Sequence, residues 1–320
     1  MASPQRPIDS GFGAHSTATE VLSGIDLSGR LAIVTGGYSG IGIETTRALA
    51  AAGAQVIVPA RRRDVAEEAL RGLDGVEVGD LDLADLDTVH AFAARILDSG
   101  RSVDMLINNA AIMAAPETRV GPGWEAQFAT NHLGHFALTN LLWPALAAGS
   151  GARVIALSSI GHRRSRIRFD DLMFETGYEK WRAYGQAKTA NVLFAVQLDE
   201  LAQDAGVRAF AVHPGGILTP LQRHLSREEM IASGWIDEQG NQLLEFKTPA
   251  QGAATATWAA TAPALEGMGG VYCEDCDIAD VADGPEAARG VQPYAIDRDE
   301  AGRLWTVSAE LTGVNAFATA

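Results

Sequence analysis

Two kinds of hydrophobic pattern alternate along the chain. Short continuous apolar runs, closed by glycine or polar clusters, are separated by stretches whose apolar positions recur every three or four residues. The runs RLAIVTGG (30–37), AQVIVPA (54–60), VEVGDLD (76–82), VDMLINNA (103–110), ARVIALSS (152–159), VRAFAVHPGG (207–216) and GGVYCED (269–275) read as buried strands. Helices are predicted between them at 43–53, 65–73, 86–100, 124–148, 184–205 and 249–262. TATEVLSG (17–24) is a further short helix, with Thr17 and Glu20 at capping-box spacing and Gly24 as its stop. Strands apolar on both faces, each followed by a helix, predict an α/β fold: a single doubly wound parallel sheet of Rossmann type with helices on both faces. Residues 1–16, rich in Pro, Gly and Ser, are expected to be frayed, and residues 17–320 to form one domain with a partly irregular acidic tail after about residue 277.

Composition narrows the partners. The 320 residues are 47% hydrophobic, enough for a core, and the formal net charge of −15 repels nucleic acid and anionic membranes. The start of the chain lacks the apolar centre of a secretory signal, and no apolar run reaches membrane-spanning length, so a soluble, cytoplasmic protein is expected. Cys273 and Cys276 form the only C-x-x-C pair, without further ligands nearby, and read as ordinary reduced thiols rather than a redox pair. His132 and His135 share a predicted helix face without a third ligand, so no metal is expected.

Candidate chemistry starts with TGGYSGIG (35–42), between the first strand and the first helix. Gly36, Gly40 and Gly42 remove side chains where pyrophosphate would approach backbone N–H groups and the positive end of a helix. A tight glycine bend would look the same in isolation. The second strand ends in VIVPARRRD. Ala60 stands where an acid would hold a ribose 2′-hydroxyl, and Arg61, Arg62 and Arg63 follow, so NADP(H) is preferred, with NAD(H) the second choice. In YGQAK (184–188), Tyr184 and Lys188 lie one helical turn apart. The ammonium is expected to pull the phenol below its usual pKa of about 10 and so create an acid/base pair.

Assembled in order, these motifs resemble the short-chain dehydrogenase/reductase family from about residue 16 to 310. STATEVLSGIDLSG, SSIGHRR and SAELTG look most like its retinol dehydrogenase and WW-domain oxidoreductase branch. The resemblance implies cofactor contacts from Gly36, Tyr38, Ser39, Gly40, Ile41 and Gly42, with Arg61 and Arg62. LDLADLDTVHAFA implies Asp82 near the adenine and Leu83 beside it; NNAA, with Ala111 for the usual glycine, implies Asn109 and Ala110. HPGGILT implies Pro214, Gly215, Ile217 and Thr219, the last two against the nicotinamide amide. The implied catalytic set is Asn131, Ser159, Tyr184 and Lys188. Tyr184 would move the proton, Ser159 would hold the carbonyl oxygen, Lys188 would bond the nicotinamide ribose and acidify the tyrosine, and Asn131 would anchor a water.

The substrate expected is a small apolar alcohol or ketone, aromatic or polycyclic. Residues 218–247 carry Leu221, Leu225, Met230, Ile231, Trp235, Leu243 and Phe246 and read either as a lid or as a helix packed on the body. GHRRSRIR (161–168) is a solvated loop or an anion site. A dinucleotide-binding sensor without turnover is the alternative reading; a sugar-nucleotide epimerase or dehydratase is disfavoured by the glycine spacing. Helices 124–148 and 184–205 pair between subunits in similar proteins, which implies a homodimer or homotetramer.

Overall fold

The computed structural model describes residues 3–149, 151–284 and 287–318. Seven strands follow the apolar runs, β1 (Leu31–Val34), β2 (Gln55–Ala60), β3 (Val76–Asp80), β4 (Met105–Asn108), β5 (Arg153–Leu157), β6 (Arg208–His213) and β7 (Val271–Glu274), and a short eighth, β8 (Asp277–Ile278), lies just beyond the last of them. Their order in the sheet is β3-β2-β1-β4-β5-β6-β7-β8, all parallel except β8, which runs antiparallel to β7. Strand order reverses between β1 and β4, so a crevice opens there at the carboxyl ends of the strands.

The α-helices of four residues or more are α1 (Ala18–Val21), α2 (Gly40–Ala51), α3 (Arg63–Ala69), α4 (Leu86–Asp98), α5 (Gly134–Leu141), α6 (Trp143–Ala147), α7 (Lys180–Ala202), α8 (Arg227–Ala232), α9 (Pro249–Thr261) and α10 (Arg298–Thr312). The expected capping box of α1 is formed by Thr17 and Glu20. The period-two geometry of β1 sends Leu31 and Ile33 into one core, with Phe92, Phe136, Val192 and Trp305. Ala32 and Val34 enter the other, with Leu49, Trp258 and Cys273. Both faces of the sheet are therefore covered, which is why its strands read as unbroken apolar runs.

Two expectations need correction. The segment expected to fray is tied to the sheet edge. Gln5 Nε2 donates to the carbonyls of Tyr272 (2.8 Å) and Ala279 (2.6 Å), and its Oε1 accepts from Tyr272 N–H at 2.9 Å. Asp277 accepts from the backbone N–H groups of Ile8 and Ser10. The glutamine side chain thus completes the end of the β7–β8 ladder, bridging Tyr272 N–H and Ala279 O. Residues 1–2 of that segment lie outside those described.

The acidic tail contains α10, a helix of 15 residues capped by Asp297, whose carboxylate accepts from Glu300 N–H at 2.9 Å. Its inward positions are Ala301, Leu304, Trp305, Ser308 and Thr312. Trp305 lies parallel to Phe194 of α7, ring centres 5.8 Å apart, and edge-on to Phe136 at 4.8 Å.

That packing bears on assembly. Every residue of α7 from Ala183 to Val196 is buried within the single chain. The helix expected to pair between subunits is covered along this stretch by the chain's own elements, α10 among them.

Candidate active site

At the reversal point lies a cleft of about 460 Å³. Gly36, Tyr38, Ser39, Gly40 and Ile41 line its floor. Gly36 has φ +64°, and a Cβ there would sit 3.1 Å from Ala110 Cα. Ser39 caps α2 without a side-chain hydrogen bond, so the first-turn N–H groups of that helix lack the usual hydroxyl cap. Thr35, which the motif reading left aside, ties the floor together. Its Oγ1 accepts from the N–H groups of Asn109 (2.9 Å) and Ala110 (3.0 Å), and its carbonyl accepts from Asn109 Nδ2 at 2.8 Å. Gly42 does not line the cleft. A Cβ there would meet Gly36 O at 2.4 Å, so its glycine lets α2 close onto the loop.

The end of β2 divides the three arginines. Arg63 pairs with Glu67 (2.7 Å) and Asp80 (3.1 Å). Arg61 and Arg62 line the cleft, and no ion pair to either occurs among the described residues. A third guanidinium, Arg223, lines the same cleft from the segment after Thr219. Burial, then the charge of Arg61, hold its pKa below the ordinary value, with Tyr38 opposing. Asp82, Leu83, Asn109, Ala110, Pro214, Gly215, Ile217 and Thr219 complete the elongated wall. A backbone cradle at a helix start beside uncompensated guanidinium groups fits a nicotinamide dinucleotide.

Beyond this wall sit Ser159, Tyr184 and Lys188. Ser159 opens the turn after β5 as the N-cap of Ile160–Arg164, and its Oγ accepts from Gly161 N–H at 3.0 Å. Tyr184 is 4% exposed. Burial pushes its hydroxyl up to about 12, against a lowering hydrogen bond from Ser159. Lys188 Nζ donates to Leu157 O at 2.8 Å and lies 5.6 Å from the centre of the tyrosine ring. Burial draws its pKa down to about 7. The expected acidification of the phenol by the ammonium is therefore not found here: the lysine is aimed at a carbonyl, and burial outweighs the one lowering influence, the Ser159 bond.

Asn131 does not line the cleft. It sits in a π-turn (Ala129–Leu133) leading into α5, and its side chain bonds the backbone of Ile112 twice, at 2.9 Å each. Its carbonyl lies 3.1 Å from His135 Nδ1, while His135 Nε2 reaches Thr35 Oγ1 at 2.9 Å. His132 points elsewhere, to Ser308 at 2.8 Å. Among the described residues no group of three or more His, Cys, Asp or Glu could hold a metal ion.

Residues 30–230 match the sequence profile described as short chain dehydrogenase. The chain belongs to the short-chain dehydrogenase family. It is 45% identical over 296 residues to a protein named "Probable oxidoreductase" from Streptomyces lividans, covering 89% of this chain and 98% of that one. Retinol dehydrogenase 12 of Mus musculus is 37% identical over 298 residues, 91% of this chain and 88% of that one, in keeping with the retinol dehydrogenase-like branch. The Pseudomonas aeruginosa RhlG/NADP active-site complex superposes with a TM-score of 0.61 at 25% identity, over 78% of this chain and 95% of that one.

In this family member the far end of the cleft is apolar. Tyr184, Met113 and Ala114 form a cluster with Trp181, Leu221, Leu225 and Trp235. Trp181 is edge-on to both Tyr184 and Trp235, with ring centres 6.2 Å apart in each case, and Trp235 meets Phe246 at 6.1 Å. Not every apolar residue of 218–247 joins in. Leu243 is 60% exposed, Met230 and Ile231 are half-buried, and these three and Leu225 do not line the cleft, whereas Leu221, Trp235 and Phe246 do. The two cysteines are free and buried, and burial raises both thiols. Of the arginines at 161–168, Arg164 alone lines the cleft, its guanidinium 5.0 Å from the Trp181 ring centre. No helix among the described residues is long and apolar enough to cross a membrane. Met113 and Trp181 belong to no short motif; only their placement beside Tyr184 marks them.

Proposed function

We propose that this chain is an NADP(H)-preferring oxidoreductase that interconverts a secondary alcohol and a ketone of apolar, aromatic or polycyclic type. The observation that carries the reading is that Ser159 and Tyr184 line one cleft, between the glycine-loop wall and an aromatic cluster. A bound nicotinamide would supply or accept the hydride. The chain's own residues would handle the rest. With its hydroxyl held near 12, Tyr184 is protonated at neutral pH, as a proton donor to a carbonyl oxygen must be. Ser159 would hold that same oxygen. Lys188, near 7, is poised to exchange a proton with its surroundings and stands between the tyrosine ring and Leu157 O. Arg61, Arg62 and Arg223 favour the cofactor that bears an extra phosphate.

Tyr184→Phe tests the reading. NADPH oxidation is followed with a panel of carbonyls that includes 9,10-phenanthrenequinone, and NADPH binding by fluorescence. The expected result is a loss of kcat of about 10³-fold with NADPH affinity unchanged. Wild-type turnover in the variant would remove Tyr184 from the chemistry. Tight NADPH binding with no carbonyl reduced by the wild type would favour a sensor.

A further inference from the structure

The serine turn is secured by a group outside the catalytic set. His162 is fully buried, and its two ring nitrogens have different partners. Nε2 faces the backbone N–H of Gln292 at 3.1 Å. That N–H can only donate, so Nε2 must accept and carries no proton. Nδ1 therefore bears the hydrogen and donates it to the carbonyl of Ser159 at 2.7 Å. The backbone N–H of His162 reaches the same carbonyl at 3.0 Å. The histidine's own carbonyl accepts from Thr189 Oγ1 of α7 (2.9 Å) and from Tyr294 (2.8 Å). Its neighbour Arg163 donates to Gly290 O at 2.7 Å. Burial draws the ring's pKa to about 4, with the Arg163 charge adding to the effect and the Ser159 bond opposing it, so it is neutral at working pH.

The turn must be held, because it packs directly against the ring of Tyr184. Gly161 lies so close to the tyrosine ring that a Cβ would come within 2.8 Å of Cε1. A shift of the turn would separate the serine hydroxyl from the phenol.

We infer that His162 is a positioning residue: as the neutral Nδ1–H tautomer it fixes the Ser159 carbonyl, and the segment Gly290–Tyr294 fixes the tautomer by donating Gln292 N–H to Nε2. The C-terminal part of the chain thereby sets the register of the catalytic hydroxyl. This rests on the reading that Ser159 is catalytic.

Two substitutions separate the bonds. The amide of asparagine reaches the place of Nδ1, and that of glutamine the place of Nε2. His162→Asn keeps the serine bond; His162→Gln keeps only the bond to Gln292. With NADPH and 9,10-phenanthrenequinone, His162→Gln should lose about 10- to 100-fold in kcat, and His162→Asn no more than about threefold, with NADPH affinity the same in both. Equal losses in the two, tracking equal losses of Tm, would reduce His162 to core filling. An unchanged kcat in His162→Gln would overturn the inference outright. Ser159→Ala is the control: if it keeps wild-type kcat, the catalytic reading fails, whereas if it falls and His162→Gln does not, the positioning role fails. Long-range ¹H–¹⁵N correlation spectra of histidine-labelled wild type need no substrate. His162 should show the Nδ1–H tautomer from pH 5.5 to 9; the Nε2–H tautomer, or a titration near 6.5, would refute it even if no carbonyl is turned over.

Discussion

Around Gly36 and Gly40 the cleft is walled by backbone, and around Trp181 and Trp235 it is walled by side chains. The first wall can be built only where small residues let a loop, a helix start and β4 approach closely, as the 3.1 Å limit at Gly36 shows. It recognises what every dinucleotide shares. The second wall is made of rings that change shape with each substitution, and its aromatic members come from α7 and from residues 218–247. Cofactor fit is thus a property of the fold, and substrate fit a property of a few side chains mounted on it. Arg61 and Arg223 are the exception: side chains grafted onto the backbone wall, where the proposed NADP(H) preference would have them select among dinucleotides.

The largest effect should come from inverting that graft. Arg61→Asp places a carboxylate where a phosphate is expected and offers an acceptor for a ribose hydroxyl. The NADPH-to-NADH preference should shift by about 3 kcal/mol, roughly 100-fold, in Kd measured by fluorescence titration. The chamber should not notice, so KM for the carbonyl should hold. An unchanged preference would place the discriminating cations elsewhere, on Arg62 or Arg223.

A smaller effect is expected on the opposite wall. Trp235→Ala removes a ring that touches both Trp181 and Phe246. Loss of about 1.5–3 kcal/mol of aromatic burial should raise KM for a polycyclic ketone at least about tenfold and leave NADPH affinity alone. If cofactor affinity falls as well, the two walls are coupled through residues 218–247, and the distinction drawn above weakens.

The same contrast explains what could be read without a structure. The glycine loop and YGQAK were legible because backbone approach and a one-turn pairing impose residue types at fixed spacing. Thr35, His162 and Arg223 were not, since each acts through a partner 70 or more residues away, or across a cleft, as in Thr35–Asn109 (74) and His162–Gln292 (130). The helix α10 is written less plainly: Ala301, Leu304, Trp305, Ser308 and Thr312 keep helical spacing after Asp297, but the charged composition around them masks it. Motif spacing also could not show that burial, rather than the lysine, would govern the Tyr184 hydroxyl. Desolvation depends on everything packed around a group.

That last point supplies the mildest test, which alters only the solvent. Burial lowers Lys188 from 10.5 to about 7, and raises Tyr184 from 10 to about 12. Between pH 7 and about 10 the folded chain has released the lysine proton while the unfolded chain keeps it. The unfolded state then binds more protons, so stability rises with pH, by at most about 1.4 kcal/mol per pH unit for one group. Above pH 10 the tyrosine reverses the trend, because the unfolded phenol ionises first. Without added dinucleotide, the wild type should therefore gain stability relative to Lys188→Met as pH goes from 7 to 9.5, in urea midpoints taken on both proteins. The difference cancels other titrating groups common to the two. A flat difference would mean that Lys188 is not desolvated, and that the cation is free to act on the phenol as its spacing first implied.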